Sequence, residues 1–476
     1  MSHSPAPEIG GADVLIVGAG LAGLSAAVRA AELGVAPRLL EAGAERRHRS
    51  NTRCSGAVFH LGFRSMRDDP AELARWLGVA TDGFVRPELA ATMGDNAGRS
   101  IDWLIGHGVE FGRIEPTDGW RDLVALPLGY HDSPGLHWEG LGADRMLDRL
   151  EEALERRGAR ISRGVRVAAL SFNEGRCCGV RTSDGHEMRA RAVILADGGF
   201  ESNDELLRRY VTPFPERMRQ RGPGIGRGEG LMMAAAAGAE LIGMEAFYGH
   251  MLSADARDND SLWPFPFLDF LAASGVLVDR NAARFADEGK GGVPMANVVA
   301  RHAAADPFFA VFDSAIWDEA GRHFFWPPNP NLPKFGGTLH RADTLDELAA
   351  ATRLPARALR QTVEQHNAAL ASGDFGVVAP RRTNARRNAR PIATPPFYAA
   401  PGCVGITHTL GGVRIDVQGR VLRQDGSVIP GLFAAGNIAG GLDGGPQAYY
   451  AGGLAQALIF GLLAAEALAS PIGAQR

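Results

Sequence analysis

Three glycines at fixed spacing, Gly18-Ala-Gly20-Leu-Ala-Gly23, carry the first chemistry legible in this chain. Gly18 permits a tight turn, Gly20 lets a pyrophosphate approach the backbone, and Gly23 lets a helix pack closely on a strand. The N–H groups that open such a helix, here those of Leu21 and Ala22, point at the phosphates. Glu41 follows eighteen residues after Gly23, where a carboxylate accepts hydrogen bonds from a ribose. Further along, His250, His408, the adjacent Tyr449 and Tyr450, and Lys290 are side chains able to transfer a proton or polarise a carbonyl. Taken singly, each has a plainer reading: a structural histidine, packed aromatic rings, a solvated loop lysine.

The elements around the glycines give the motif its weight. Asp13-Val-Leu-Ile-Val17 is a continuous apolar run ending in glycine, as a strand buried on both faces of a parallel sheet would be. Residues 21–33 read as an alanine-rich helix and Arg38-Leu-Leu-Glu41 as the second strand, completing a βαβ unit. Residues 141–157 have apolar positions at helical spacing, and short strands follow at 159–161 and 165–167. A further strand, 192–196, runs into Asp197-Gly-Gly, and another, 431–436, leads through glycines to an apolar C-terminal helix. The nucleotide-binding portion is therefore split in sequence. Between 250 and 400 the texture changes to aromatics and prolines, as in Trp263-Pro-Phe-Pro-Phe and Phe324-Phe-Trp-Pro-Pro. Residues 381–396 read as a basic exit linker, or equally as a solvated charge patch.

At 476 residues the chain exceeds a single core of about 250–300 residues. Its net charge of -4 and 22% charged residues leave no nucleic-acid footprint. The four cysteines contain no CxxC pair, so an in-chain cluster, structural zinc or covalent haem is not expected, nor any other metal. The first eleven residues lack the pattern of a signal peptide, and the apolar stretch 452–469 carries Gln456 and Glu466, reading as a buried helix instead of a membrane span. A cytoplasmic location is the expectation.

Beyond the glycine motif, Arg49-Ser-Asn-Thr52 with Cys54-Ser-Gly56 resembles the flavin-cradling loop of the fumarate reductase and succinate dehydrogenase flavoproteins. Matching segments recur in the family's order: Ile194-Leu-Ala-Asp-Gly-Gly-Phe-Glu-Ser-Asn203, Gly228-Glu-Gly230, Arg284-Phe-Ala-Asp-Glu288, Thr407-His-Thr-Leu-Gly-Gly412 and Ile429-Pro-Gly-Leu-Phe-Ala-Ala-Gly-Asn437. The Gly-Gly-Phe-Glu-Ser-Asn run looks most like the tricarballylate dehydrogenase group, whereas Gly436-Asn437 looks more like the 3-ketosteroid Δ1-dehydrogenases.

The resemblance implies an α/β protein: a Rossmann-type FAD-binding domain in two parts, 1–249 and 401–476, with an inserted α+β substrate-capping domain at 250–400. It implies FAD contacts from Ser50, Asn51, Thr52, Ser55, Gly56, the backbone near Val167, Ala196, Gly198, Asn437, Gly453 and Leu454. Some relatives attach flavin through a histidine where this chain has Asn51, so FAD is expected to be non-covalent. His250 and His408 match the family's substrate histidines, but both of its substrate arginines are missing. Gly-Lys290-Gly stands where one is expected and Gln447-Ala-Tyr-Tyr450 where the other is, which argues against fumarate or succinate. Arg53 could contact a carboxylate or the pyrophosphate. The expected activity is hydride transfer between flavin N5 and a Cα–Cβ bond beside a carbonyl or carboxylate of a small molecule. An external redox partner, protein or quinone, would complete the cycle. The alternatives are a ketosteroid-type dehydrogenase on a bulky enone and a catalytically silent electron-transfer subunit.

Overall fold

The computed structural model describes residues 12–114, 121–129, 135–320, 322, 328–383 and 389–470. Residues 1–11, most of the Phe324-Phe-Trp-Pro-Pro run and the middle of the 381–396 segment lie outside them.

The first sheet is built from the strands that the apolar runs announce. Val14–Val17 is fully buried and pairs in parallel with Pro37–Glu41 on one side and Ala192–Leu195 on the other. Ile161–Arg163 extends the sheet beyond Pro37–Glu41, and Val428–Ala434 and Arg420–Leu422 extend it beyond Ala192–Leu195. All pairings are parallel except that of the Arg420–Leu422 edge. Such a sheet needs helices on its faces. Leu21–Glu32 and the C-terminal helix Gly453–Ala469 pack against each other there. They approach so closely at Gly461 that a β-carbon would collide with the Ser25 hydroxyl. Residues 452–469 are thus a helix buried in protein, and no helix among the described residues is long and apolar enough to cross a membrane.

A separate antiparallel meander, Val167–Asn173, Arg176–Thr182 and Glu187–Arg189, sits between Ile161–Arg163 and Ala192–Leu195 in the chain. It carries Val167 at its start.

The second sheet is organised by one 13-residue strand, Phe397–Thr409. Its first half pairs with Phe308–Asp313 and His340–Ala342, and its second half with Phe247–Ser253 and, in parallel, Met218–Gln220. This sheet reaches past both limits expected for the insertion: it starts at Met218 and runs through residue 400 to Thr409. In the pairing with Phe247–Ser253, Tyr248 opposes His408 but Gly249 opposes Ile406, so Thr407 is an extra residue. A bulge of this kind re-aims the side chains beside it.

Candidate active site

One cavity of about 960 Å³ runs from the glycine turn to the His–Tyr cluster. At its first end Gly18 adopts φ +98°, and a β-carbon there would press on the Ala196 carbonyl. Gly20 caps the helix without a side chain, and the nearest atom to its missing β-carbon is Thr52 Oγ1 at 3.6 Å, which leaves the backbone open to the cavity. Leu21 and Ala22 also line this end. Gly23 does not; a β-carbon there would collide with the Gly18 carbonyl oxygen, so its work is helix–strand packing.

Glu41 accepts from the N–H groups of Ala19 (2.9 Å) and Gly43 (2.7 Å), which fixes its carboxylate at the cavity wall. The 50–56 loop is tied by its own hydroxyls: Thr52 Oγ1 accepts from Leu21 N, Ser50 Oγ from Arg53 N, and Ser55 Oγ donates to the Thr52 carbonyl. Ser50, Asn51, Ser55, Gly56, Val167, Ala196 and Gly198 complete this wall, and Asn437, Gly453 and Leu454 line the cavity where the C-terminal helix begins.

The wall asks for a polar ligand. Asn51 Oδ1 and Asp197 Oδ1 are buried acceptors with no hydrogen-bond partner among the described residues. Burial pushes the Asp197 carboxyl up to about 6, against the pull of the Gly230 N–H that its other oxygen accepts at 2.8 Å. Buried polar groups are normally satisfied, and an FAD offers what two orphaned acceptors need: hydroxyl and N–H donors beside a pyrophosphate that fits a bare glycine turn. The residues present therefore fit FAD.

At the other end the side chains converge from four segments of the chain. Tyr248 and His250 stand two apart on Phe247–Ser253, with the Tyr248 hydroxyl 3.1 Å from His250 Nε2. His250 Nδ1 is held by Asp269 Oδ2, whose other oxygen accepts from Met251 N at 2.9 Å. Across the bulge, the His408 ring lies 5.1 Å from that of Tyr248. Tyr450 stacks on Tyr248 and accepts the Gly453 N–H at 2.9 Å. That N–H opens the C-terminal helix, whose N-terminal positive end lies at the cavity. Asn437 Oδ1, His408 Nε2 and the Tyr450 hydroxyl all lie 3.5 Å from where a β-carbon on Gly453 would sit. Tyr449 instead turns its hydroxyl to the Gly62 carbonyl (2.9 Å), tying down a loop. Lys290 is exposed at the cavity wall, away from these hydrogen bonds.

Burial sets the protonation states. Desolvation, helped by Arg221, pushes His408 down to about 3. It also lowers His250, outweighing the opposing pull of Asp269. The same desolvation raises Tyr248 and Tyr450. At neutral pH the site holds neutral imidazoles and protonated phenols.

Three of these residues were not among those the sequence singled out. Tyr248 carried a signal, since i and i+2 share a strand face. Asp269 and Arg221 carried none. Arg221 lines the cavity at 7% exposure, so the site contains a cation even though both family arginine positions are empty. Arg53 runs against the opposite expectation: it does not line the cavity. Its side chain is fully buried against Asp144 and Glu151 (2.8 Å to the latter), carboxylates on one face of the helix Gly142–Arg156. Arg382 likewise is no solvated charge. It is buried, bonded to the Ala273 and Gly275 carbonyls and 3.7 Å from Glu288.

With this geometry in hand, comparison with known proteins is direct. Residues 13–449 match the FAD binding domain family. The chain is 28% identical over 374 residues to an NADH:acrylate oxidoreductase of Vibrio harveyi, covering 75% of this chain and about a third (34%) of that longer protein. It is 26% identical over 573 residues to a 3-oxosteroid 1-dehydrogenase of Mycobacterium tuberculosis, covering 97% and 99% of the two chains. Its fold matches that of a 3-ketosteroid-Δ4-(5α)-dehydrogenase of Rhodococcus jostii solved with 4-androstene-3,17-dione, with a TM-score of 0.74, 24% identity and 98% coverage of both chains. The chain belongs to the FAD binding domain family, as an FAD-dependent oxidoreductase.

Proposed function

We propose that this protein exchanges a hydride with a Cα–Cβ bond beside a carbonyl or carboxylate, with Tyr248 carrying the accompanying proton. The observation that supports this is the chain of hydrogen bonds Tyr248–His250–Asp269 on the wall of the cavity that begins at the glycine turn. FAD, when bound, supplies the hydride exchange at N5. Asp269 accepts from Nδ1 and so turns Nε2 into an acceptor for the Tyr248 hydroxyl. In desaturation Tyr248 takes the substrate proton as it passes its own to His250, and the imidazolium formed is stabilised by Asp269. In reduction the same proton runs outward. The Tyr450 hydroxyl, its oxygen held by the Gly453 N–H, polarises the carbonyl oxygen of the substrate. The sheet organised by Phe397–Thr409 serves as the cap over this site. FAD is held without a covalent bond, since Asn51 offers no ring nitrogen. The other half-reaction uses an external partner, a redox protein or quinone, in the cytoplasm.

A ketosteroid-type reading rests on the pairing of Tyr450 with Gly453, which could seat a ketone oxygen, and on the full-length likeness to a 3-oxosteroid 1-dehydrogenase. One experiment tests both. Purified protein is precipitated with acid to see whether yellow FAD is released, and intact enzyme is mixed anaerobically with panels of carboxylates and enones while the flavin band is followed. Chemically reduced enzyme is then offered unsaturated members. Bleaching or reoxidation by either panel supports the hydride chemistry and identifies the class; no response in either direction overturns it.

A further inference from the structure

Arg221 is a buried cation with no carboxylate in ion-pair range among the described residues. It follows the strand Met218–Gln220, and its backbone N–H donates to Ile406. Its side chain spans from the Pro264 carbonyl (Nε, 3.0 Å) to Thr407 Oγ1 (Nη1, 2.8 Å), with a further hydrogen bond to Tyr248. A guanidinium carries five N–H groups, so these contacts leave donors over. Among the described residues no carboxylate lies within 4.0 Å of it; the nearby Asp269 is committed to His250 and Met251. Two other buried arginines, Arg53 and Arg382, differ. Arg53 has Asp144 and Glu151, and Arg284 and Arg382 share Glu288.

Holding an arginine in a protein interior with no opposing charge is costly, because its lost hydration is not replaced. The site also wraps the guanidinium in aromatic surface, with Phe265 and Phe267 at 5.0 and 5.7 Å from its carbon. An anion accepting from the remaining N–H groups would supply the missing charge, and a planar carboxylate suits a guanidinium.

We propose that Arg221 is the carboxylate-recognition residue of this enzyme, and that its substrate is a monocarboxylic acid with an apolar or aryl body lying on Phe265 and Phe267. This rests on the hydride chemistry proposed above and names its substrate class. The carboxylate is then also the electron-withdrawing group that activates the Cα–Cβ bond, placed next to the phenol of Tyr248.

The test uses FAD-loaded enzyme and matched pairs of probes: 2-enoic acids such as cinnamate and crotonate, and their methyl esters. Reduced wild-type enzyme should be reoxidised by the acid, with a kcat/KM at least about 30-fold above that for the ester, and calorimetry with the saturated acid should show binding that the ester lacks. Arg221→Met should raise KM for the acid by about 30-fold or more and abolish the preference, while Arg221→Lys keeps part of it. The wild-type comparison stands even where a variant fails to fold. Equal handling of acid and ester, or turnover of neutral enones alone, overturns the carboxylate assignment and leaves the hydride chemistry intact. An acid-over-ester preference that survives in Arg221→Met, with a shifted flavin potential, assigns the charge to the cofactor and also overturns it. Reoxidation by no acid, ester or enone removes the hydride chemistry, and this proposal with it.

Discussion

The rings of Tyr248 and Tyr450 stack with centroids 4.0 Å apart and planes at 29°, joining a strand of the second sheet to the turn before the C-terminal helix. The stack keeps both hydroxyls on the cavity wall, one bonded to His250 and the other to Gly453. Tyr450→Phe preserves the stack and removes one hydroxyl. Its kcat should fall about 100-fold, the usual cost of losing one donor to a developing oxyanion, with flavin content unchanged. A kcat equal to wild type would mean that Tyr450 only packs.

Arg53 should matter for stability and not for catalysis. Arg53→Met leaves Asp144 and Glu151 buried beside an apolar side chain, and breaking such a pair costs about 3–5 kcal/mol. Chemical denaturation of the holoenzyme should report that loss while FAD affinity stays near wild type. An unchanged denaturation midpoint with weakened FAD binding would return Arg53 to the pyrophosphate.

Gly20 and Gly23 should fail differently when each becomes alanine. A β-carbon at Gly23 meets the backbone of Gly18, so Gly23→Ala should destabilise the apoprotein, by about 1–3 kcal/mol or more. At Gly20 the nearest atom is 3.6 Å away, so the apoprotein should melt normally while FAD affinity falls by about tenfold or more. Apoprotein melting curves and FAD titrations separate the two; identical behaviour of both variants would contradict the division of labour.

Asp443 gives the fold a pH slope. It is buried, hydrogen-bonded to Gln456 and the Ala451 N–H, and burial pushes its carboxyl up to about 7. The unfolded value is about 3.9, so the folded state binds the extra proton between those limits. Its contribution is therefore full below about pH 4 and is lost as pH rises through 7. His250 and His408, lowered by burial, lose stability in the opposite direction, below about 6.5, but they cancel when a variant is compared with wild type. Asp443→Asn should gain in melting temperature relative to wild type on going from pH 5 to pH 8. A difference that stays flat across that range rules the titration out.

Much of the nucleotide-binding portion was legible because its signals are local. The buried strand Val14–Val17, the glycine turn and the helix Leu21–Glu32 each declare themselves within a dozen residues, and the observed ends differ from the expected ones by a residue or so. The histidines and Tyr450 could be named from motif order. Arg221 could not, because it enters the site through the pairing of a three-residue strand with residues 404–406, far away in sequence. The same holds for the hydrogen bond to Thr407, which depends on a one-residue bulge. Arg53 misled because it sits in the flavin loop, while its partners lie on a helix whose buried acidic face shows only once the helix is docked. The second sheet crosses the limits expected for the insertion because the change in composition marks loops, not the central strand Phe397–Thr409.

That strand, Phe397–Thr409, holds His408 and Thr407 and sets the register of both Tyr248 and Arg221. Inserting or deleting one residue within its last half would reverse the directions of His408 and Thr407 and slip them out of register with Tyr248 and Arg221, because neighbouring side chains alternate in direction. The polar half of the site can therefore tolerate replacement of residues but not a change in their number. The stretch from Trp263 to Phe267, between the short helical turn at Asp260–Leu262 and the helix Asp269–Ser274, is paired only at Phe267, which bridges to Leu252. Chain length is constrained there too, because the Pro264 carbonyl holds Arg221, so the room beside the charge changes by exchanging the Phe265 or Phe267 side chain and not by lengthening the loop.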